Sequence, residues 1–148
     1  MIYGIILIMI ILIVNAAKRN VGAALLITLA MTTIYQLIGQ DIVNFLAGAG
    51  LARVNLLQIV NLILVVLPML IVLFRSQKCS RHLPTLVFDS GLLFALLVTA
   101  SGAVIASLIK LDATSLQIQV WIVENYKTIV VLAGLYGFYQ VILKPEIE

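Results

Sequence analysis

The apolar run Leu56–Phe74 reads LLQIVNLILVVLPMLIVLF. It contains no Asp, Glu, Lys or Arg, and its only polar side chains are Gln58 and Asn61. An α-helix rises ~1.5 Å per residue, so a helix of this length reaches ~28 Å, close to the ~30 Å hydrocarbon core of a bilayer. The stretch therefore predicts a helix that crosses a membrane.

The composition of the whole chain extends this prediction. The 148 residues are 64% hydrophobic and 10% charged, with a mean hydropathy of +1.22. Soluble domains carry ~25% charged residues, and disordered chains combine low hydrophobicity with high net charge. The composition excludes both classes and predicts an integral membrane protein, and the length predicts a single domain over residues 1–148.

Further apolar runs flank the central stretch and are separated from it by polar segments. We expect an all-α, polytopic membrane protein with four to five transmembrane helices, five being favoured, in a small antiparallel bundle. The expected spans are residues 1–17, 21–38, 56–74, 86–109 and 120–143. The segment 39–55 contains charged residues and glycines. It is expected to form an interfacial loop or a short surface helix.

The last run has two interpretations. Glu124 and Lys127 interrupt it. Trp121 and Tyr139 would lie ~27 Å apart along one helix, close to the separation of the two aromatic belts of a membrane. This spacing favours a fifth span. The alternative is an amphipathic helix that lies in the membrane surface, which leaves four spans.

The basic residues predict the orientation in the membrane. With five spans, an outside N-terminus and an inside C-terminus, six cations lie on the inner side and three on the outer side, as the positive-inside rule requires. We expect this topology in a bacterial or archaeal inner membrane, or in an organellar inner membrane. The inner set is Lys18, Arg19, Arg75, Lys78, Arg81 and Lys144, and the outer set is Arg53, Lys110 and Lys127.

The predicted fourth span carries small residues at every fourth position, which we call the small-residue ridge. Lipid tails are as apolar as leucine, so helices associate in a membrane through close packing, and small residues let two backbones approach. The ridge predicts a helix-packing face, used either by other spans of this chain or by another protein. It consists of Gly91, Ala95, Thr99, Ala103 and Ser107.

Asp89 is the only charged residue between the ends of the first four predicted spans, and it lies near the start of the fourth. A carboxylate inside a membrane is costly and often marks an ion pathway. A carboxylate near a helix N-terminus is also favoured by the helix dipole and caps free amides. The basic residues of segment 75–82 lie on the same predicted side. We favour capping or pairing with them over ion transport.

Other polar residues lie inside the predicted spans. Pro68 lacks a backbone donor and clashes with the carbonyl of Leu64, so we predict a static kink there in preference to a hinge. Gln36, Gln58 and Asn61 could line a water-filled path or form hydrogen bonds between helices, each worth ~0.6 kcal/mol. We favour the hydrogen bonds, because the sequence shows no ring of charged residues.

The chain offers few groups for catalysis or ligand binding. Cys79 and His82 are the only residues of their kinds. They cannot form an internal disulfide, a cysteine-rich metal site or a pair of haem ligands. The sequence shows no nucleophile with a base and no phosphate-binding glycine loop. We expect no enzymatic activity and no cofactor. The cations are spread between the apolar runs, which argues against nucleic acid as a partner.

These observations lead to two hypotheses about function. The first is a structural, assembly or anchoring subunit of a larger membrane complex, which acts through helix–helix packing. Its partners would be the lipid bilayer and other membrane subunits or further copies of itself. The alternative is a transporter, channel or holin-like pore in which Asp89 is the intramembrane carboxylate.

Overall fold

The computed structural model of the chain describes residues 2–17, 20–50, 56–76, 83–108 and 111–143. Within these ranges the regular structure is helical throughout, with no strand, which confirms the predicted all-α class. The α-helices are α1 (Ile2–Ala17), α2 (Gly22–Gly48), α3 (Leu56–Asn61), α4 (Leu67–Arg75), α5 (Leu83–Leu108), α6 (Ala113–Glu124) and α7 (Tyr126–Phe138). Two π-helical turns, Leu62–Val66 and Tyr139–Leu143, follow α3 and α7.

Three helical segments of the described residues are long and apolar enough to cross a membrane. They are Gly22–Gly48, Leu56–Arg75 and Pro84–Ala106. A fourth is added if α6 and α7 together form one broken span. α1 is apolar but has only 16 residues, which as a helix reach ~24 Å.

The segment Leu56–Arg75 is one rod with a widened turn in its middle. Pro68 is the second residue of α4, and the π-helical turn Leu62–Val66 comes directly before it. The amide of Leu67 donates to the carbonyl of Leu62, five residues earlier. Because proline lacks an N–H and its ring crowds the carbonyl four residues before it, a regular turn is disfavoured here. The structure thus has an irregular turn at the predicted kink.

α2 is longer than the expected span 21–38, because the helix continues through Gly39 and ends at Gly48. Val43 is buried against Leu56 and Val60 of α3, and Ile42, Leu46 and Ala47 pack on the same cluster. These apolar residues recur at helical spacing, so the segment is an amphipathic helix with an apolar face on α3. This part of segment 39–55 is the end of a long helix and not a separate loop; residues 51–55 lie outside the described ranges.

The expected last span, residues 120–143, is divided in two. α6 and the rod Tyr126–Ile142 are bent by 72° at Asn125. The backbone of Asn125 leaves the helical region (φ −98°, ψ 14°), and its side-chain amide donates to the carbonyl of Trp121 over 2.8 Å. Trp121 and Tyr139 therefore do not lie on one straight helix, and the predicted ~27 Å separation of these two residues along a single span is wrong.

The main core lies where α5 packs against α1, α2 and α7. Tyr3 of α1 is buried there and meets Phe94 of α5 edge to face, with ring centroids 5.8 Å apart. The Tyr3 hydroxyl donates to Gln119 of α6 over 3.0 Å. The Ser115 hydroxyl donates to Asp112 over 2.6 Å, so the start of α6 is joined to the linker before it. These contacts bring the starts of α1 and α6 together beside α5.

Candidate functional site

The most buried charged residue of the described chain is Asp89, at 1% exposure, in a polar network between three helices. The side-chain amide of Gln140 donates to a carboxylate oxygen of Asp89 over 3.0 Å. The carbonyl oxygen of the same Gln140 side chain accepts from the backbone amide of Gly22 over 2.9 Å. Asn20 donates to the backbone carbonyl of Gln140 over 3.0 Å, and its own side-chain oxygen accepts from Gly22. We call these four residues the Asp89 network.

The Asp89 network forms because two glycines let α2 and α7 approach closely. A Cβ atom added at Gly22 would lie 2.6 Å from the Cβ of Gln140 and 2.9 Å from the carbonyl oxygen of Gly137. A Cβ added at Gly137 would lie 3.0 Å from the carbonyl oxygen of Gly22. Ala133, one turn earlier on α7, is completely buried. This small-residue crossing brings Gln140 to the first turn of α2.

The helix dipole of α2 contributes to the electrostatics of this network. Gly22 is the first residue of α2, so its amide carries part of the positive end of the dipole. The side chain of Gln140 lies between that amide and the Asp89 carboxylate. Its carbonyl oxygen accepts from the amide of Gly22, and its NH₂ group donates to the carboxylate. The amide side chain is thus oriented by both neighbours. The arrangement suits a carboxylate that is held in place within the bundle.

The prediction that Asp89 caps its own helix is wrong. α5 begins at Leu83, so Asp89 lies in the second turn, beyond the reach of the free amides at the helix start. Of the basic residues proposed as its partners, Arg75 is exposed, while Lys78, Arg81 and His82 lie outside the described residues. The pairing that the structure describes is with the amide of Gln140.

A second polar network joins α3 to the other half of α5. Asn61 is fully buried, and its amide donates to the backbone carbonyl of Ala100 over 3.1 Å. The Ser101 hydroxyl donates to the side-chain oxygen of Asn61 over 2.7 Å. Ser101 lies ~18 Å along α5 from Asp89. Side-chain hydrogen bonds therefore connect α5 to neighbouring helices at two positions, one in each half of α5.

The remaining polar residues predicted as sites are separate from these networks. Gln36 is exposed on α2, and Gln58 is partly buried at the start of α3. Pro68 is partly buried within the central rod. Ser90, next to Asp89, is fully buried, and its hydroxyl has no hydrogen-bond partner in the described structure. The structure does not bring Gln36, Gln58 and Asp89 into one path.

The small-residue ridge lies at the accessible edge of α5. Gly91, Ala95 and Thr99 are partly buried and Ala103 is exposed; the side chain of Ser107 lies outside the described residues. A Cβ added at Gly91 would have no described atom within 4 Å. The Thr99 hydroxyl donates to the carbonyl of Ala95 in its own helix. The described helices therefore leave Ala103 exposed and leave space beside Gly91, whereas Ala95 packs against the main core.

Three of the four residues in the Asp89 network were not predicted as site residues. Gln140 had a usable signal, because it is the only amide side chain between Thr128 and Leu143. Asn20 and Gly22 had none, since a polar residue and a glycine are ordinary in a turn between helices. Among the described residues, no three His, Cys, Asp or Glu side chains are grouped so that they could hold a metal ion.

Comparison with known proteins gives no relative from which a function could be inferred. No protein-family profile, curated protein or solved structure matches this chain.

Proposed function

We propose that the chain is a small integral membrane protein that acts as a structural, assembly or anchoring subunit of a larger membrane complex. Its helices are apolar, several are long enough to cross a bilayer, and the exposed faces of α1, α4 and α7 carry large hydrophobic side chains. Lipid or a neighbouring membrane protein is the natural environment for such faces. The proposal assigns no catalytic reaction to the chain.

The main support for this proposal is that Asp89 is enclosed by the surrounding helices. A transport carboxylate faces a water-filled cavity or exchanges partners during the cycle. Asp89 is instead 1% exposed and is hydrogen-bonded to Gln140, whose other contacts are with the first turn of α2. The carboxylate thus joins helices, which supports a packing role over an ion-conducting one.

The small-residue ridge supplies the surface for association. Its middle residues are open or only partly covered by the chain's own helices. A second helix with small residues could approach α5 closely along this edge. We propose that another membrane subunit, or a second copy of this chain, packs there.

The proposed topology is five crossings with the N-terminus outside and the C-terminus inside. Under this topology α1 crosses despite its length, with local thinning of the bilayer, and the rod after Asn125 forms the fifth span. The start of α2, the early part of α5 and the end of α7 meet in the Asp89 network. These three ends belong to one membrane side in the proposed topology, so the contacts support it.

Association through the ridge is tested by replacing Ala95 and Ala103 with leucine. The tagged double variant is purified from membranes in mild detergent and its co-purifying subunits are compared with those of the unchanged chain. A loss of associated subunits is the expected result, because two leucines fill the space that a neighbouring backbone would occupy. Ala30→Leu on the exposed side of α2 is the matched control. Unchanged co-purification of the double variant would contradict the proposed docking face.

The pore alternative is tested separately by reconstitution. Ion flux through proteoliposomes that is abolished by Asp89→Asn would show that the carboxylate conducts, and would overturn the structural proposal.

A further inference from the structure

An open groove runs along the outer face of α4. It has a volume of about 610 Å³ and is lined by Leu67, Leu70, Ile71, Phe74 and Arg75. The four apolar residues recur at helical spacing, so they form one continuous stripe. Leu67, Ile71 and Phe74 are each about half exposed. The groove is therefore a shallow, open apolar surface along α4, and Arg75 is the one cation among its described lining residues.

We propose that this groove binds one anionic phospholipid, with an acyl chain along the apolar stripe and the phosphate at Arg75. The inference rests on the membrane placement given under Proposed function. It adds a bound ligand class and a site that the packing role does not require.

The position of Arg75 matches the level of a lipid phosphate. Arg75 is the last residue of the apolar rod Leu56–Arg75, so a rod that crosses the bilayer places it at the edge of the hydrocarbon. From Leu67 to Arg75 the helix rises ~12 Å, which extends from the headgroup level toward the middle of one leaflet. A phospholipid has the same layout, with charge at one end and hydrocarbon below it.

The charge at the end of the groove favours an anionic headgroup over a zwitterionic one. A guanidinium donates two parallel hydrogen bonds to phosphate oxygens. A basic residue at the inner end of a span attracts an anionic lipid by about fivefold in affinity. A zwitterionic headgroup adds an ammonium group, which the guanidinium of Arg75 repels.

The experiment uses the fluorescence of a single tryptophan. Because Trp121 is the only tryptophan of the chain, it can be removed and a new one introduced at a chosen position. In a Trp121→Phe background, Phe74→Trp places the fluorophore in the groove, and Leu135→Trp places a control fluorophore on the exposed face of α7. Each variant is reconstituted in phosphatidylcholine vesicles that contain brominated phosphatidylglycerol or brominated phosphatidylcholine. Bromine quenches tryptophan on contact, so the quenching gives the relative affinity of each position for the two lipids.

We expect phosphatidylglycerol to be preferred about fivefold at position 74 and hardly at all at position 135. Adding Arg75→Gln should abolish the preference at position 74, whereas Lys127→Gln, which removes an exposed cation of α7, should leave it unchanged. An equal preference at both positions, or one that survives Arg75→Gln, would overturn the proposed site. Quenching at neither position by either lipid would contradict the membrane placement itself.

A second readout avoids any change inside the groove. The chain with its native Phe74 is purified in mild detergent, and the phosphatidylglycerol it retains is measured after extraction. Arg75→Gln should lower the retained amount about fivefold relative to Lys127→Gln. Equal retention by the two variants would overturn the proposal. Because Phe74 is unchanged here, this result is independent of whether Phe74→Trp blocks the groove.

Discussion

The side-chain amide of Gln140 donates to the carboxylate of Asp89 over 3.0 Å and joins residues 51 positions apart in the chain. The other end of the same amide accepts from Gly22, so one side chain connects the end of the α7 rod to α5 and to the start of α2. A buried carboxylate needs such a donor, since an uncompensated charge within a bundle is costly. Gln140 is therefore a residue on which the packing of three helices depends.

Replacing Gln140 by leucine is expected to lower the free energy of unfolding by about 1.5–3 kcal/mol, because a hydrogen bond to a charged group is lost. Gly22 keeps its acceptor on Asn20, so the loss falls mainly on Asp89. The measurement is a denaturant titration in mixed micelles followed by far-UV circular dichroism.

The matched control for Gln140→Leu is a double-mutant cycle with Asp89→Asn. Asparagine keeps the shape of aspartate and removes the charge that needs the donor, so it should recover part of the stability lost in the Gln140→Leu background. If the two changes are additive, Asp89 and Gln140 are not coupled and their assigned role is refuted.

The close crossing of α2 and α7 predicts a difference between glycines of the same chain. Gly22→Ala and Gly137→Ala each place a Cβ within 3.0 Å of atoms of the other helix, and such overpacking costs about 1–3 kcal/mol. Gly91→Ala meets open space, and alanine is the better helix former, so that variant should be as stable as the unchanged chain or up to ~1 kcal/mol more stable. Equal stabilities of the three variants would contradict the crossing.

The Asn61–Ser101 hydrogen bond predicts a similar contrast on α5. Ser101→Ala removes the donor to buried Asn61 and should destabilise the protein by about 0.6–1.7 kcal/mol, the range for hydrogen bonds between membrane helices. Thr99→Ala removes a bond to the backbone of its own helix and should change stability by less than ~0.5 kcal/mol. The unfolding midpoints of the two variants in detergent provide the comparison. A larger loss for Thr99→Ala would refute the assignment.

The helical class was predictable from the sequence because it contains long uncharged apolar runs. In an apolar environment, a single segment can satisfy all of its own backbone hydrogen bonds only as a helix. For Pro68 the sequence predicts a kink, and the structure has a π-helical turn directly before it, since a missing amide acts on its own turn. These features depend on residues close together in the chain.

The features that the sequence did not predict depend on tertiary contacts. The extension of α2 to Gly48 is stabilised by the contact of Val43 with α3. In the sequence, the polar residues Gln40 and Asp41 interrupt the apolar run, so the helix was expected to end before them. The bend at Asn125 is an exception, because it involves the backbone angles of one residue and a hydrogen bond to Trp121, four residues earlier. The partner of Asp89 was assigned to nearby cations, because nothing local indicates that Gln140 lies beside it.

The proposed orientation predicts which residues are accessible from outside an intact cell. In a Cys79→Ser background, a cysteine at Ala49, an exposed residue just after α2, should react with a membrane-impermeant maleimide. The native Cys79 should react only with a permeant reagent, since the proposed orientation has segment 75–82 on the inner side. Labelling in the reverse order would show that the chain is inserted the other way round.

Native mass spectrometry of the chain released from its own membranes tests whether it is a subunit of a complex. We predict that the 16.1 kDa chain is found within a larger assembly of fixed stoichiometry, containing other membrane subunits or further copies of itself. Release as a monomer alone, under conditions that preserve other complexes of the same membrane, would contradict it.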